Sequence, residues 1–103
     1  MLSTLDVAAN TDYKEPIMYN FGSPRVGNPK FVQIYNEVVR DSFRIVNVND
    51  IVPTLPPVTV RSPLSSELRY YVHVNEVFQV SVQTGSIQGN HIVENYLKGL
   101  ECL

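Results

Sequence analysis

The chain has 103 residues, of which 44% are apolar, and a formal net charge of −2. This length fits one small domain, and the composition is ordinary for a globular protein. Because acidic and basic residues are scattered, the charge pattern gives no indication of binding to nucleic acid or to an anionic membrane, and no stretch is long and apolar enough for a transmembrane helix.

The two ends of the chain say little about its compartment. Met1 to Asp6 lack the basic and apolar regions of a signal peptide, so the sequence as written predicts a cytoplasmic protein, with secretion as the alternative if an export signal precedes Met1. Cys102 is the only cysteine, which excludes an intrachain disulfide and argues against a cysteine-based metal site.

The first part of the chain alternates between helix and strand signals. Residues 1–9 have apolar side chains at helical spacing, with Asn10 as the predicted end, and this periodicity is already running at Met1, as in the last part of a longer helix. Residues 17–21 predict a short strand, and glycines and prolines follow it. The chain therefore begins with a helix and a strand.

A second helix and strand complete a βαβ unit. Asn28 is a good N-cap and Pro29 a good first helical residue, and the apolar stripe that follows predicts a helix over 29–40. Residues 43–48 are β-branched and apolar and predict a strand parallel to 17–21. Parallel strands need cover on both faces. One crossover helix and a short first helix cannot supply it, so we expect an incomplete sheet.

The second half of the chain is less regular. Residues 58–68 predict an irregular connection, because Pro63 and the Ser65–Ser66 pair interrupt any pattern. Residues 70–74 and 76–82 alternate as strands do, which predicts two strands, one bent strand, or a hairpin about Asn75.

The C-terminal region predicts a loop and a final helix. Residues 85–90 are rich in glycine and polar residues and predict a loop. From His91 a helix is predicted to run to about Lys98, with Gly99 ending it and with Ile92, Tyr96 and Leu100 facing inward.

Asp50 is the first candidate functional residue. It follows the 43–48 strand directly, and the carboxyl ends of strands in an α/β sheet are where ligand-binding and catalytic groups are presented. The alternative is that Asp50 only turns the chain, as Asn-Asp pairs often do.

The two histidines differ as candidates for proton transfer. His91 follows a loop at the start of a helix, where an imidazole can reach a substrate, although it could equally be a first-turn helix residue after an Asn90 cap. His73 lies within an alternating strand segment, which favours a structural role. An Asp after one strand and a His in a later loop match the last two members of the Ser, Asp, His order of α/β-hydrolases.

No serine of the chain fits the nucleophile of such a triad. The sequence contains no Gly-x-Ser-x-Gly. Ser23 is followed by Pro24, which lacks the backbone N–H that an oxyanion hole needs, and Ser3 lies inside the first helix. Neither residue is a candidate nucleophile.

Three consecutive motifs resemble the class 3 (fungal-type) triacylglycerol lipases. They are residues 19–31 (YNFGSPRVGNPKF), 44–57 (RIVNVNDIVPTLPP) and 71–78 (YVHVNEVF), and they are distributed along the chain in the order of the family. The chain departs from the family pattern in two places. The residues around His91 match less sharply than the three motifs, and Asn75 stands where a glycine is more usual.

The resemblance implies an α/β fold that is the C-terminal portion of an α/β-hydrolase, with two parallel strands and their crossover helix, a later strand pair and a C-terminal helix. Residues 1–103 would form a partial domain that lacks the N-terminal part with the nucleophile elbow. Asp50 and His91 would be the triad acid and base and His73 would not be catalytic, with no metal or organic cofactor. The substrate of the full-length enzyme would be a lipid ester, and the chain alone is expected to be inactive.

An alternative to the serine esterase is a non-catalytic interaction module. A lipase-like remnant with an uncovered apolar face could self-associate, bind lipid or protein, or pair with a separately encoded N-terminal half.

Overall fold

A computed structural model describes residues 1–63, 67–74 and 76–102. It has a mixed α/β architecture, in which helices pack against a sheet of parallel strands. The elements in chain order are α1 (Leu2–Asn10), β1 (Ile17–Phe21), α2 (Pro29–Val38), β2 (Asp41–Asn47), a 3-10 turn (Val52–Thr54), β3 (Thr59–Arg61), β4 (Leu68–Tyr70), β5 (Val77–Val80), α3 (Ile87–Asn90) and α4 (Val93–Glu101).

The predicted βαβ unit is confirmed. β1 and β2 pair in parallel with Tyr19 opposite Phe43, and α2 connects them. The start of α2 is set by local chemistry, since the Asn28 side chain accepts a hydrogen bond from the Phe31 backbone N–H at 2.8 Å and Pro29 occupies the first turn. This unit places the end of β2 beside the loop that follows β1.

The third strand of the sheet corrects the predicted later strand pair. β5 pairs in parallel with β2, giving the strand order β1-β2-β5. The hydrogen bonds from Arg44 N to Glu76 O and from Val48 N to Val80 O extend this ladder. Alternation along the chain marks a strand but not its partner. The proposed hairpin position, Asn75, lies outside the described residues.

The segment predicted to be irregular contains a second, separate pair of strands. β3 and β4 pair antiparallel, with Val60 opposite Arg69, so the prediction of an irregular connection over 58–68 is wrong. Ser65 and Ser66 lie outside the described residues. The predicted strand at 70–74 is reduced to the end of β4 and a single bridge between Val72 and Gly27.

Two hydrophobic clusters occupy opposite faces of the sheet. Met18 on β1 and Ile45 on β2 point to opposite faces, because Ile45 pairs with Phe21, an odd number of residues from Met18, and side chains alternate along a strand. The first cluster, under α1 and α2, consists of Ala8, Met18, Tyr35, Val39 and Val74, and the second, under α4, consists of Ile45, Val80 and Tyr96. α1 and α2 thus cover part of one face of the sheet, and α4 covers part of the other.

The final helix differs from its prediction at both ends. α4 begins at Val93, after the short helix α3 that replaces the predicted loop. Gly99 does not end it: the helix continues to Glu101, and a Cβ at Gly99 would lie 2.8 Å from the Val80 Cβ. This glycine permits close approach of α4 to β5. Of the three residues predicted to face inward, Tyr96 is fully buried, Leu100 is partly buried against the second cluster, and Ile92 is 40% exposed.

Candidate active site

Asp50 is held in a tight turn at the carboxyl end of β2. The chain turns after Asn47, where the Asp50 backbone N–H donates to the Asn47 carbonyl at 2.9 Å. One carboxylate oxygen, Oδ1, accepts from the Val52 backbone N–H at 2.9 Å. The Asp50 side chain has no exposed surface. A buried carboxylate needs hydrogen-bond donors, and the second oxygen, Oδ2, has two, on His91 and Tyr96.

His91 lies between α3 and α4 and contacts Asp50. Its ring Nδ1 is 2.7 Å from Asp50 Oδ2, across 41 positions of the sequence. A carboxylate accepts, so Nδ1 carries the proton and Nε2 is the free basic nitrogen of the neutral ring. The His91 side chain is 42% exposed while that of Asp50 is fully buried. The arrangement is a solvent-accessible imidazole oriented by a buried acid. The contact agrees with the sequence analysis, and the catalytic roles stay a prediction.

Tyr96 completes the shell around Asp50. Its hydroxyl donates to the same oxygen, Oδ2, at 2.5 Å, and the residue is fully buried. Burial raises the pKa of the Tyr96 phenol, and the hydrogen bond to Asp50 raises it further, against a smaller lowering by a backbone hydrogen bond with Asn47. The phenol is therefore a fixed donor. The sequence predicted only that Tyr96 faces inward. A buried tyrosine hydroxyl needs a hydrogen-bond partner, and this requirement could have indicated a polar contact.

Gly22 brings the backbone of the loop after β1 against this group. Its φ is +63°, and a Cβ there would lie 2.6 Å from Asp50 Oδ2, 2.6 Å from the Tyr96 hydroxyl and 3.0 Å from His91 Nδ1. The neighbouring Ser23 hydroxyl instead donates to the Pro24 carbonyl at 3.1 Å. In the described part of the chain, no serine is hydrogen-bonded to the His91 ring.

His73 belongs to a different cluster. Its Nε2 donates to the Pro53 carbonyl, and Arg25 donates to the carbonyls of Thr54 at 2.7 Å and Pro56 at 3.1 Å. Burial lowers the pKa of His73, the bond to Pro53 raises it, and the nearby charges of Arg44 and Arg25 lower it. These side chains brace the proline-rich segment that follows Asp50, which agrees with a structural role for His73.

Residues 1–63, 67–74 and 76–102 contain neither a metal-binding cluster nor a helix that could span a bilayer. Within these ranges no group of three or more His, Cys, Asp or Glu is placed to hold a metal ion. The helices found there are too short or too polar to cross a bilayer.

The known proteins to which parts of the chain are similar include lipases and a phospholipase. Three relatives are similar to parts of the chain: "Lipase ZK262.3" of Caenorhabditis elegans (53% identical over 36 residues, 35% of this chain and 10% of that protein), "Secreted mono- and diacylglycerol lipase LIP1" of Malassezia globosa (38% over 58 residues, 55% and 19%) and "Phospholipase A1-Igamma3, chloroplastic" of Arabidopsis thaliana (40% over 53 residues, 50% and 10%). The matched part of the chain thus spans between a tenth and a fifth of the length of these relatives.

The family model covers the region that contains the acid of the candidate site. It is described as Lipase (class 3) and matches residues 1–60, more than half of the chain, including Gly22 and Asp50 but ending before His91. The chain belongs to the class 3 lipase family.

Proposed function

We propose that this chain supplies the acid and the base of a Ser-Asp-His triad that hydrolyses carboxylic esters of lipids. The observation that carries the proposal is the 2.7 Å contact between His91 Nδ1 and the buried Asp50 carboxylate. Membership of the class 3 lipase family and relatives named as lipases support lipid ester hydrolysis in general. The two roles in the triad are assigned to Asp50 and His91 by us.

In this proposal the two residues divide the proton chemistry. Asp50 holds the imidazole in the tautomer with hydrogen on Nδ1 and stabilises the imidazolium. Nε2 of His91 removes the proton of a serine as that serine attacks the ester carbonyl, then gives the proton to the departing alcohol. It next takes a proton from the water that attacks the acyl-enzyme and gives that proton to the departing serine oxygen, which releases the fatty acid. His91 is thus neutral again at the end of acylation and again at the end of deacylation.

The serine and the oxyanion donors are proposed to come from polypeptide outside these 103 residues. Residues 1–103 would then be the C-terminal part of an α/β-hydrolase domain, with the nucleophile elbow on the N-terminal part. The relatives are named for mono- and diacylglycerol and for phospholipid substrates, and these share a fatty acyl ester. A fatty acyl ester is accordingly the substrate class we propose.

A chimera tests the proposal. The segment of the Malassezia globosa mono- and diacylglycerol lipase that corresponds to this chain is replaced by residues 1–103, and hydrolysis of a short-chain diacylglycerol is measured. We expect activity in the chimera. Asp50→Asn and His91→Ala should each lower kcat by roughly 10⁴-fold or more, because the first loses the correct tautomer and the second loses the base.

Two controls are needed to interpret the activity of the chimera. His73→Gln keeps a donor toward the Pro53 carbonyl and should leave kcat essentially unchanged. The 103-residue chain alone should show no turnover of an aryl ester, because it supplies no nucleophile in this proposal. Turnover by the isolated chain that Asp50→Ala abolishes, or an active chimera that tolerates His91→Ala, contradicts the assignment.

A second candidate function is association with another polypeptide segment through an exposed aromatic strip on the sheet. The strip consists of Tyr19 and Phe78 with the half-buried Phe43 between them, one residue from each strand. The Phe43 ring centroid lies 5.1 Å from that of Tyr19 and 5.9 Å from that of Phe78. Tyr19 is 63% exposed and Phe78 is 50% exposed. Faces of parallel sheets are normally covered, so an exposed strip of rings favours a packing partner.

A further inference from the structure

Two buried asparagines lie beneath the candidate site. Asn47 is the last residue of β2 and has no exposed surface, and Asn90 is the last residue of α3 and is 5% exposed. A buried primary amide has two donors and two acceptor lone pairs, and each must be satisfied for its burial to be tolerated.

Asn47 uses its full hydrogen-bonding capacity. Its Nδ2 donates to the carbonyls of Val82 at 2.8 Å and Asn90 at 3.1 Å. Its Oδ1 accepts from the backbone N–H groups of Val82 at 3.0 Å and Asn49 at 3.3 Å. One side chain thus joins the strand β2, the segment after β5 and the end of α3.

Asn90 is satisfied in the same way. Its Nδ2 donates to the Asn49 carbonyl at 3.1 Å and to Gln83 Oε1 at 2.9 Å. Its Oδ1 accepts from the backbone N–H and from the hydroxyl of Thr84, both at 2.9 Å. The bonds to Thr84 and Gln83 are local, whereas the bond to Asn49 crosses to the turn that carries the acid.

The two crossing bonds are reciprocal. Asn47, on the strand of the acid, holds the carbonyl of Asn90, which is the peptide unit directly before His91. Asn90, the neighbour of the base, holds the carbonyl of Asn49, which is the peptide unit directly before Asp50. The backbone on each side of the His91–Asp50 contact is therefore tied to the other side.

We infer that Asn47 and Asn90 are positioning residues, which fix the separation of His91 and Asp50 and so hold the ring Nδ1 on the carboxylate. This inference rests on the proposed function, in which that contact sets the tautomer of the base. Losing either amide donor frees the loop between α3 and α4. The imidazole then loses its preferred orientation while the helices stay in place.

The tautomer of His91 is the direct readout. In the purified 103-residue protein at about pH 8.5, well above the ordinary histidine pKa of about 6.5, ¹⁵N chemical shifts of the ring nitrogens distinguish N–H from bare nitrogen. We expect the Nδ1–H form to predominate for His91. His73, which donates from Nε2 to the Pro53 carbonyl, should show the opposite tautomer and serves as the internal reference.

Substitutions at position 90 test the inference. Asn90→Ala should make the Nδ1–H tautomer of His91 the minor form, as in a free side chain in water. Asn90→Asp, which keeps the side-chain volume and the acceptor for Thr84 but loses both donated bonds, should act in the same direction. The matched control is Asn95→Ala, which removes another amide bond of this region, from Asn95 Nδ2 to the Gly89 carbonyl at 2.7 Å, without touching the turn of Asp50.

The same variants in the lipase chimera give a second readout. Misplacement of the base should lower kcat by up to about 10²-fold with KM unchanged, while Asn95→Ala leaves both constants unchanged. A variant that is merely destabilised would instead lose active protein without changing the His91 tautomer of the folded fraction.

The outcomes separate this inference from the proposed function. If Asp50→Asn abolishes the Nδ1–H tautomer but both Asn90 variants keep it, the positioning role is overturned and the acid–base pair stands. If wild-type His91 does not favour Nδ1–H, or Asp50→Asn changes nothing, the pair itself fails and the inference fails with it. If both Asn90 variants unfold, the asparagines are structural and the inference is also overturned.

Discussion

Two glycines with left-handed backbone angles differ in what surrounds them. Gly22 has φ +63° and Gly85 has φ +80°, so an L side chain is strained at both. At Gly22 a Cβ would enter the space shared by Asp50, Tyr96 and His91, whereas at Gly85 nothing lies within 4 Å. Glycine is thus required at position 22 for two reasons: the backbone has a positive φ, and the neighbouring side chains leave no room for a Cβ.

Alanine at these two positions separates the requirements. Gly85→Ala should lower the free energy of unfolding by about 1–2 kcal/mol, the cost of the left-handed angle. Gly22→Ala should cost distinctly more and should also displace the His91 ring from Asp50. Urea denaturation measures the first effect and the ¹⁵N shifts of His91 the second. Equal losses of stability, with an unchanged His91 tautomer, would show that the site tolerates a side chain at position 22.

At the scale of elements, α2 and α4 are each fixed to the sheet by one fully buried tyrosine. The Tyr35 hydroxyl on α2 lies 2.9 Å from the hydroxyl of Ser42 on β2, a neutral partner. The Tyr96 hydroxyl on α4 donates to the Asp50 carboxylate. Hydrogen bonds to charged groups contribute more than those between neutral groups, so the two helices depend on their tyrosines to different degrees.

Removing each hydroxyl measures this difference. Tyr96→Phe should lower the free energy of unfolding by about 1.5–3 kcal/mol, and Tyr35→Phe by about 0.5–1.5 kcal/mol. Both variants keep the buried ring, so lost packing does not confound the comparison. Chemical denaturation of the two proteins in the same buffer checks the order. A larger loss for Tyr35→Phe would mean that Asp50 is adequately satisfied without Tyr96.

The elements that the sequence predicts correctly are those with local signals. Asn28 and Pro29 specify the start of α2 by themselves, and β-branched residues mark β2. The partner of β5 and the pairing of β3 with β4 depend on contacts far along the chain, which alternation does not encode. Asp50 and His91 were expected to meet because of their order in a family pattern.

The supporting residues of the site were missed for a related reason. Helical spacing shows that Tyr96 faces inward but not that its hydroxyl reaches Asp50. Asn47 and Asn90 look like ordinary strand-end and loop residues in the sequence, and their burial depends on three segments meeting. Residue types predict chemistry at a site, while the residues that orient it are found only in three dimensions.

The whole molecule is a flat slab. Its principal extents are 40 × 37 × 16 Å, and its radius of gyration is 15.2 Å, against about 13 Å for a compact domain of 100 residues. In such a thin shape, helices cover part of each face of the sheet, and the aromatic strip of Tyr19, Phe43 and Phe78 stays accessible on the face that α4 covers in part. The shape itself therefore favours association through that strip.

Light scattering of the purified chain tests this property. We expect its apparent mass to rise with concentration, because stacked rings on a sheet face lose contact with water when two surfaces meet. Tyr19→Lys should suppress the rise. Tyr13→Lys is the matched control: Tyr13 is 79% exposed and lies outside the strip, and both substitutions change the net charge by the same amount. If the two variants behave alike, or if the unaltered chain stays a monomer at every concentration, the strip is not an association surface, and the esterase proposal is left standing without the second candidate.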